Sequence, residues 1–536
     1  MFLRITGGLG TIRRRVAEGD GERIRGDTRA RAGMPRIGLR FGTDGSARSL
    51  ETTAERLIDY ALVAASLWYL AVYLWIALHR LAYPFDVEWM EGGAVDHVAR
   101  VLAGDSIYVP PTLRFIPFAY PPLYFYASAA VARFTGLGFF PLRLVSFLSS
   151  LGVFGVTYAF VRRETANAVA GCLAVGVFAA TYRAGGAWLD LARVDSLFLF
   201  LTMLAVYQVR FGSSNRSWVA AGVLFALAGM TKQTAVIIAV SMILYALWTD
   251  WRRAIGMAIA FAGVLGILTW RLETVSGGWY LEYILYLPAR IQALGDIPRA
   301  IWERNIFGPL PMAFALTVGV VASRALRREG AAVFYALFVT TFVGAAWASG
   351  RHSGAYDNVF IPAHLSLCIG MGWAFADLTR TGVLRTSTRA YASVLCALQL
   401  YMLFYSASAQ VPTSHDAELA REVHHLIAAT PGDVFVPHHG FVAGRADKPM
   451  SAHAWAVFDL LRVADPETRR RVTVELHEAL AEHRFALIML DKIEPWLAAD
   501  LNRYYARTGE PFAGEGLWTR TGYRTRPRWT YTPQRP

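Results

Sequence analysis

Residues 119–135 read AYPPLYFYASAAVARFT, and the topology of the chain depends on whether this stretch crosses a membrane. Composition indicates a membrane protein, because 55% of the 536 residues are hydrophobic and only 17% are charged. A bilayer core needs roughly 20 apolar residues per helix. Eleven other stretches approach or reach that length: 58–81, 142–161, 167–184, 195–211, 217–231, 234–249, 254–272, 307–322, 331–349, 358–376 and 390–406.

The arginines decide the position of residues 119–135. If the stretch does not cross and the N-terminal tail is cytoplasmic, every arginine cluster between spans is cytoplasmic, as the positive-inside rule requires. If it crosses, all the clusters move outside. The sequence therefore predicts eleven spans, with 119–135 as a short helix at the outer membrane surface. The clusters are Arg162/Arg163, Arg210/Arg216, Arg252/Arg253, Arg324/Arg327/Arg328 and Arg380/Arg385/Arg389.

The predicted fold class is an all-α polytopic protein of the cell (inner) membrane with a small C-terminal extracytoplasmic α/β domain. Residues 1–56 are polar and arginine-rich, which predicts a disordered cytoplasmic tail. Residues 57–406 form the predicted transmembrane region, whose first outer loop, residues 82–141, we call loop one. Residues 407–536 form the outer domain, because helical and strand patterns alternate there: helices at 415–429, 466–483 and 494–507, strands at 434–436 and 485–490.

The basic charge of the chain does not indicate a nucleic-acid partner. The formal net charge is +13, but the arginines concentrate at span ends and in the tail, where topology and anionic membrane lipids explain them. The cysteines lie in apolar segments and are interpreted as small buried hydrophobes. We predict no metal site from the outer-domain histidines, because their spacing is not diagnostic of a ligand set and no cysteine joins them. These residues are Cys172, Cys368, Cys396, His438, His439 and His453.

Loop one carries an acidic cluster directly after the first span: Asp86, Glu88 and Glu91. Charges beside a bilayer are costly and usually have a function. A carboxylate at this position can deprotonate an acceptor hydroxyl, or it can cap the helix predicted at 93–103 and face water. Each acid alone fits either interpretation, whereas the cluster favours function.

The order of motifs along the chain resembles the GT-C glycosyltransferases, and within them the group of protein O-mannosyltransferases and the lipid A aminoarabinose transferase. The acidic cluster and Tyr120-Pro121-Pro122-Leu123-Tyr124 begin the series. The resemblance continues at Pro141–Ser146, Ala192–Phe198 and Gly229–Thr234, and covers residues 58–376.

This resemblance implies a polyprenyl-phosphate-linked sugar donor and a catalytic aspartate in the first outer loop. That role falls on Asp86, with Glu88 second, because this chain reads Asp86-Val87-Glu88 where the family often has adjacent Asp and Glu. Glu88 would orient the acceptor or bind a metal. No cofactor is firmly implied, and a divalent metal stays open.

Cations on the outer side are candidates to bind the donor phosphate. Lys232 comes first, because a lone lysine between two apolar helices needs an anionic partner. Arg193 and Arg351 follow, although Arg193 could instead pair with Asp190 or Asp195. The residues predicted to line the substrate site are Glu91, Tyr120, Asp195 and Tyr356.

The predicted function is transfer of a sugar from a lipid-linked donor to a hydroxyl of a cell-envelope glycan, lipid or protein. Single displacement with a carboxylate base would invert the anomeric configuration, by analogy with glycoside chemistry. A transporter or lipid flippase is the alternative, but such proteins carry charges at mid-membrane and often inverted repeats, and we find neither. A non-catalytic protein of the same fold is a third possibility.

Overall fold

The structure, a computed structural model, describes residues 44–291, 298–380, 385–514 and 516–534. Contacts divide the chain at Ala54, and Glu55–Pro536 forms one compact, mostly helical unit. Residues 1–43 of the predicted tail lie outside the described residues, whereas its end is helical from Asp44. The first eight helices, α1 to α8, are Asp44–Leu81, Glu91–Ala103, Leu123–Thr135, Phe139–Thr165, Ala168–Ala180, Asp195–Phe211, Asn215–Gly229 and Thr234–Ser276.

The second half of the chain contains shorter helices. Two π-helical turns, Glu282–Tyr286 and Ile301–Phe307, interrupt the segment after α8. Helices α9 to α15 are Trp279–Leu281, Leu287–Arg290, Pro298–Ala300, Pro311–Leu326, Gly330–Gly350, Ile361–Arg380 and Arg385–Met402. Helices α16 to α20 are Ser414–Ala429, Gly440–Arg445, Ala454–Val463, Pro466–Ala481 and Pro495–Tyr504.

All eleven predicted spans overlap helices, but fewer helices are long and apolar enough to cross a membrane on their own. Within the described residues there are five such helices, or six if the bent pair formed by the π-turn Ile301–Phe307 and α12 counts as one span. Helix α8 contains two predicted spans, and Asp250, with φ −150°, breaks its regular geometry between them. The number of membrane crossings therefore stays a prediction.

Helix α14 lies at the centre of the bundle, and nearly all of its residues are buried. Two glycines permit this position. A Cβ on Gly370 would lie 2.4 Å from the Thr317 side chain of α12, and one on Gly372 would lie 2.8 Å from the Ala170 carbonyl of α5. Small residues at these contacts let helix backbones approach closely, as in membrane helix pairs generally.

The stretch 119–135 forms helix α3, which begins after Pro122. Its thirteen residues rise about 20 Å at 1.5 Å per residue, less than the roughly 30 Å of a hydrocarbon core. The Leu123 N–H donates to the Met230 carbonyl at 2.9 Å, just before Lys232. Loop one and the turn between α7 and α8 therefore lie side by side.

The C-terminal part contains a small sheet in the described residues, with strands in the order β1-β2-β4-β3. Strands β1 and β2 are parallel, and the other neighbours are antiparallel. The prediction of a helix over 494–507 is wrong at its end, because α20 stops at Tyr504 and β3 follows at once to pair with β4. The strands are Asp433–Phe435, Phe485–Leu490, Tyr505–Gly509 and Trp529–Pro533.

Candidate active site

Five segments surround a cavity of about 470 Å³. They are loop one, the segment before α6, the start of α8 with the turn before it, residues 283–291, and residues 349–359. Helix α18 forms the remaining side. Much of the wall is apolar. The polar and aromatic residues in it include Trp89, Tyr120, Trp188, Arg193, Lys232, Gln233, His352, Tyr356, Asn358, Trp455 and Asp459.

Arg193 reaches the cavity from the segment before α6 and is almost fully buried. Its Nη1 lies 3.4 Å from Glu88 Oε2, and its Nη2 donates to the Tyr120 hydroxyl at 3.1 Å. The predicted alternative partners are wrong, because Asp190 pairs with Arg80 and Asp195 pairs elsewhere. Arg193 therefore joins the acidic cluster to the cavity wall.

Lys232 also lines the cavity, and its Nζ lies 2.6 Å from Asp195 Oδ1. The Asn358 side-chain amide donates to the same oxygen at 3.0 Å. Asp195 itself is buried and does not line the cavity, unlike the prediction. The Arg193-x-Asp195 motif thus contacts two other motifs, because Arg193 pairs with loop one and Asp195 pairs with the turn before α8.

Glu88 is fully buried next to this wall. Its Oε2 faces Arg193, while its Oε1 accepts no hydrogen bond from any described residue. Burial raises the pKa of the Glu88 carboxyl to about 8, against the opposing effect of the Arg193 charge. A carboxyl with a free oxygen and a pKa near neutrality has the properties of a general base.

Glu91 has a different environment and does not line the cavity as predicted. Its carboxylate accepts two hydrogen bonds from Arg143, at 2.9 and 2.7 Å, and further ones from backbone N–H groups, including that of Ala192 at 2.7 Å. Burial would raise the pKa of Glu91, but the Arg143 charge and these hydrogen bonds lower it overall. Glu91 therefore holds the segments of the site together.

Asp86 does not line the cavity and contacts the C-terminal part instead. The Gly92 N–H donates to its Oδ1 at 2.7 Å, and His439 Nδ1 lies 2.7 Å from its Oδ2. His439 Nε2 lies 3.0 Å from Asp491. Burial alone would lower the pKa of His439, but the two carboxylates raise it to about 10, so the imidazole is cationic.

Sequence reasoning missed His439 and Asp491 as partners of loop one, although a signal was present. His439 follows β1, and Asp491 comes directly after β2. These strands are parallel neighbours, and the carboxyl ends of parallel strands meet at one edge of a sheet. An aspartate and a histidine at such positions were therefore candidates for contact.

Two other predicted site residues, Tyr356 and Arg351, differ in their position relative to the cavity. Tyr356 lines the cavity and packs against Trp188, with ring centroids 5.2 Å apart. Arg351 is not part of the cavity wall; its guanidinium lies over the Trp347 ring at 4.9 Å. Of the predicted site residues, Tyr120, Arg193, Lys232 and Tyr356 line the cavity, whereas Asp86, Glu88, Glu91, Asp195 and Arg351 lie behind it.

The histidines of the C-terminal part make pairwise contacts. His438 Nε2 lies 3.1 Å from Glu494. The backbone N–H of Trp455 donates to His453 Nδ1 at 3.2 Å. His453 Nε2 therefore carries the proton and donates to the backbone carbonyl of Trp89. Within the residues that the structure describes, no group of three or more His, Cys, Asp or Glu side chains has a metal-binding arrangement.

Residues 119–272 match the family model of dolichyl-phosphate-mannose-protein mannosyltransferases. The fold is similar to that of ArnT from Cupriavidus metallidurans bound to undecaprenyl phosphate, with TM-score 0.56 and 14% identity over 87% of this chain and 97% of that chain. A comparison with curated protein sequences found no match.

The fold is also similar to the oligosaccharyltransferase AglB from Archaeoglobus fulgidus in complex with an inhibitory peptide and a dolichol-phosphate, with TM-score 0.50 and 11% identity over 79% of this chain and 69% of that chain. These findings confirm the predicted resemblance to the GT-C glycosyltransferases. The solved structures show that the chain shares their fold, and its long apolar helices agree with the predicted polytopic membrane protein. The predicted glycosyltransferase activity stays a prediction.

Proposed function

We propose that the chain transfers a sugar from a polyprenyl-phosphate-linked donor to a hydroxyl of a cell-envelope acceptor at the outer face of the cell membrane. The supporting observation is that two buried cations, Arg193 and Lys232, line the same cavity as an apolar wall. A polyprenyl phosphate has the same division between an anionic head and an apolar chain. The apolar wall includes Ile284, Leu285, Leu287, Pro288 and Ile291.

The similar solved structures support this donor class. ArnT was solved with undecaprenyl phosphate and AglB with a dolichol-phosphate. Each of these ligands is a long polyprenyl chain with a phosphate head. We place the cavity on the outer face because the arginine clusters between the predicted spans then all lie in the cytoplasm.

In the proposed reaction the acceptor oxygen attacks the anomeric carbon of the donor sugar. The bond from that carbon to the phosphate oxygen breaks, and the polyprenyl phosphate leaves with the bonding electrons. Arg193 and Lys232 stabilise the charge that grows on the phosphate. Attack opposite the leaving phosphate inverts the anomeric configuration.

We assign the acceptor proton to Glu88 rather than to Asp86. Glu88 has one oxygen without a hydrogen-bond partner among the described residues, and it contacts Arg193 of the cavity wall. Both oxygens of Asp86 are occupied, one by the Gly92 N–H and one by His439. Asp86 then positions loop one, and no step of this proposal uses a metal ion.

The full chain, purified in detergent micelles, tests the proposal. It is mixed with synthetic polyprenyl-phosphate sugars that differ only in the sugar, together with a cell-envelope glycan extract, and the products are identified by mass spectrometry. We expect one donor to yield glycosylated acceptor and free polyprenyl phosphate in equal amounts, with no product from Glu88→Gln. Lipid or sugar movement across sealed proteoliposomes without product would contradict transfer and favour the transporter alternative.

A further inference from the structure

The two sides of the cavity differ in charge. The side next to the membrane helices carries Arg193 and Lys232. The opposite side is helix α18, which contributes Trp455 and Asp459. Of the described residues that line the cavity, Asp459 alone carries a carboxylate. Arg193 and Lys232 present cations to a donor phosphate, whereas α18 presents a carboxylate oxygen and an indole ring, so α18 suits a different part of the reacting pair.

Arg462 holds the Asp459 side chain in place through one of its two carboxylate oxygens. Arg462 Nη2 donates to Asp459 Oδ1 at 3.2 Å, and Arg462 Nη1 donates to the Ser353 hydroxyl at 2.9 Å, which ties α18 to the loop at 349–359. The second Asp459 oxygen accepts no hydrogen bond within the described protein. The Asp459 side chain is partly exposed, at 24%, so this oxygen is available to a ligand in the cavity.

An aromatic surface lies beside Asp459. Trp455 is one helical turn before it, so the two side chains lie on the same face of α18. The Trp455 ring packs against Trp89 of loop one, with centroids 4.4 Å apart, and against Tyr523 at 5.7 Å. Gly354 allows the neighbouring loop to approach, because a Cβ there would lie 3.2 Å from the Trp455 ring.

Two further tryptophans, Trp89 and Trp188, belong to the cavity wall. The indole N–H groups of Trp89 and Trp188 are buried and have no partner among the described residues. Trp188 is only 2% exposed and lines the cavity, as does Trp89. The cavity wall therefore offers aromatic faces and one carboxylate acceptor.

We propose that the α18 side of the cavity, formed by Trp455 and Asp459 with Trp89, is the binding site for a carbohydrate acceptor. A sugar ring presents C–H groups that pack on an indole face and hydroxyls that donate to a carboxylate. The cation of α18, Arg462, is already paired with Asp459, so this helix offers a lipid phosphate no free cation. This inference rests on the proposed function and selects glycan from among the glycan, lipid and protein acceptors.

The charge state of Asp459 is compatible with this role. Burial raises the pKa of its carboxyl to about 6, with Arg462 opposing the shift. Near neutral pH most of the carboxyl is then ionised and accepts hydrogen bonds from sugar hydroxyls. Asp459 is the one carboxylate among the described residues that line the cavity, so no second carboxylate of the wall competes for the ligand.

Binding to an array of immobilised defined oligosaccharides tests the site without requiring turnover. Fluorescently labelled full chain in detergent is applied to the array, and dissociation constants are then measured for the oligosaccharides that bind. We expect binding by the wild type and at least a tenfold weaker affinity for Trp455→Ala and for Asp459→Asn. Asp459→Glu, which keeps the charge, should recover part of the affinity.

Two controls separate this site from the rest of the protein. Glu467→Gln, an acid-to-amide change on the neighbouring helix α19 outside the cavity, should bind oligosaccharides like the wild type. Undecaprenyl phosphate should bind all variants with affinities within about twofold of each other, which shows that the fold and the donor side are intact.

Absence of oligosaccharide binding by the wild type, unchanged affinities in both α18 variants, or binding of peptides or phospholipids at this site would each overturn the inference. If transfer to a non-glycan acceptor is found and Asp459→Asn keeps the wild-type KM for it, the proposed function stands and this inference fails. If oligosaccharides bind through α18 but no sugar is ever transferred, the carbohydrate site stands and the proposed transferase reaction fails.

Discussion

Glu88 and Glu91 lie three residues apart in loop one and are both fully buried, yet their surroundings are opposite. Glu91 forms a paired contact with Arg143, and both of its oxygens are occupied. Glu88 has one contact with Arg193 at 3.4 Å, and its second oxygen has no partner among the described residues. Accordingly, the pKa of Glu91 is lowered, whereas that of Glu88 is raised to about 8.

This contrast separates an acid that holds the site together from an acid available for chemistry. A buried carboxylate whose partners are complete has no capacity left for a substrate, but its removal leaves other groups unpaired. A buried carboxyl with incomplete partners is unstable as an anion and readily takes a proton. Burial alone, or proximity in sequence, does not distinguish the two roles; the hydrogen-bond partners do.

Removal of the Glu91 carboxylate is expected to have the largest effect. Glu91→Ala leaves the buried Arg143 guanidinium without its anionic partner, and breaking a buried pair in this way costs about 3–5 kcal/mol. We expect little folded protein, judged by size-exclusion profile and thermal unfolding in detergent. Glu303→Ala, which removes only the exposed pair with Arg299, should cost less than about 1 kcal/mol. An unchanged unfolding midpoint for Glu91→Ala would refute its structural role.

Glu88→Gln should affect the reaction and spare the fold. The amide keeps the shape of the side chain but cannot accept the acceptor proton, and loss of a general base lowers rates by about 10²–10⁴-fold. The unfolding midpoint should not fall, because the glutamine oxygen can still accept from Arg193 and the other Glu88 oxygen makes no hydrogen bond to lose. Measured transfer rates within tenfold of the wild type, with the fold intact, would exclude Glu88 as the base.

The helical part of the fold follows from local patterns and could be predicted. Helix α6 begins and ends where the apolar run does, at Asp195 and Phe211, and α2 ends at Gly104, whose φ of +82° favours glycine. These features depend on residues close together in sequence. The π-helical turns after α8 and the hairpin of β3 and β4 depend on tertiary contacts and were not predicted.

The candidate site could be predicted only in part, for the same reason. Proximity to a predicted span end identified Arg193 and Lys232, which do line the cavity. The difference between Glu88 and Asp86 depends on His439, which lies 353 residues after Asp86 in the chain. Asp459 was missed because its helix shows no motif, and only the folded chain brings it to the cavity.

Asp86→Asn should have a smaller effect on the reaction than Glu88→Gln. The cationic His439 would lose one of its two carboxylates and keep Asp491, at a cost of about 1.5–3 kcal/mol for a charged hydrogen bond. We expect a lower unfolding midpoint and a transfer rate reduced by about tenfold or less. Asp491→Asn, which removes the other contact of His439, is the matched control and should behave alike.

The reverse ranking would change the assignment of the base. If Asp86→Asn abolishes transfer while Asp491→Asn and Glu88→Gln remain active, the proton goes to Asp86, as the family resemblance implies. Glu88 would then be a partner that orients Arg193.

The last expected effect concerns how stability depends on pH. Glu88 has an ordinary pKa of 4.5 and a folded-state pKa of about 8, so between these values the folded chain binds more protons than the unfolded chain. Its stability therefore falls as pH rises from about 4.5 to about 8. Glu88→Gln should remove this slope.

His439 also makes the stability fall as pH rises, but over a different pH range. This effect is present in both the wild type and Glu88→Gln. The histidine pKa is raised from 6.5 to about 10, so its stabilisation is complete below about 6.5 and is lost as pH rises through about 10. Subtracting the unfolding midpoints of Glu88→Gln from those of the wild type cancels this term. A difference curve that is flat between pH 4.5 and 8 would mean that Glu88 is ionised throughout, and the contrast with Glu91 would disappear.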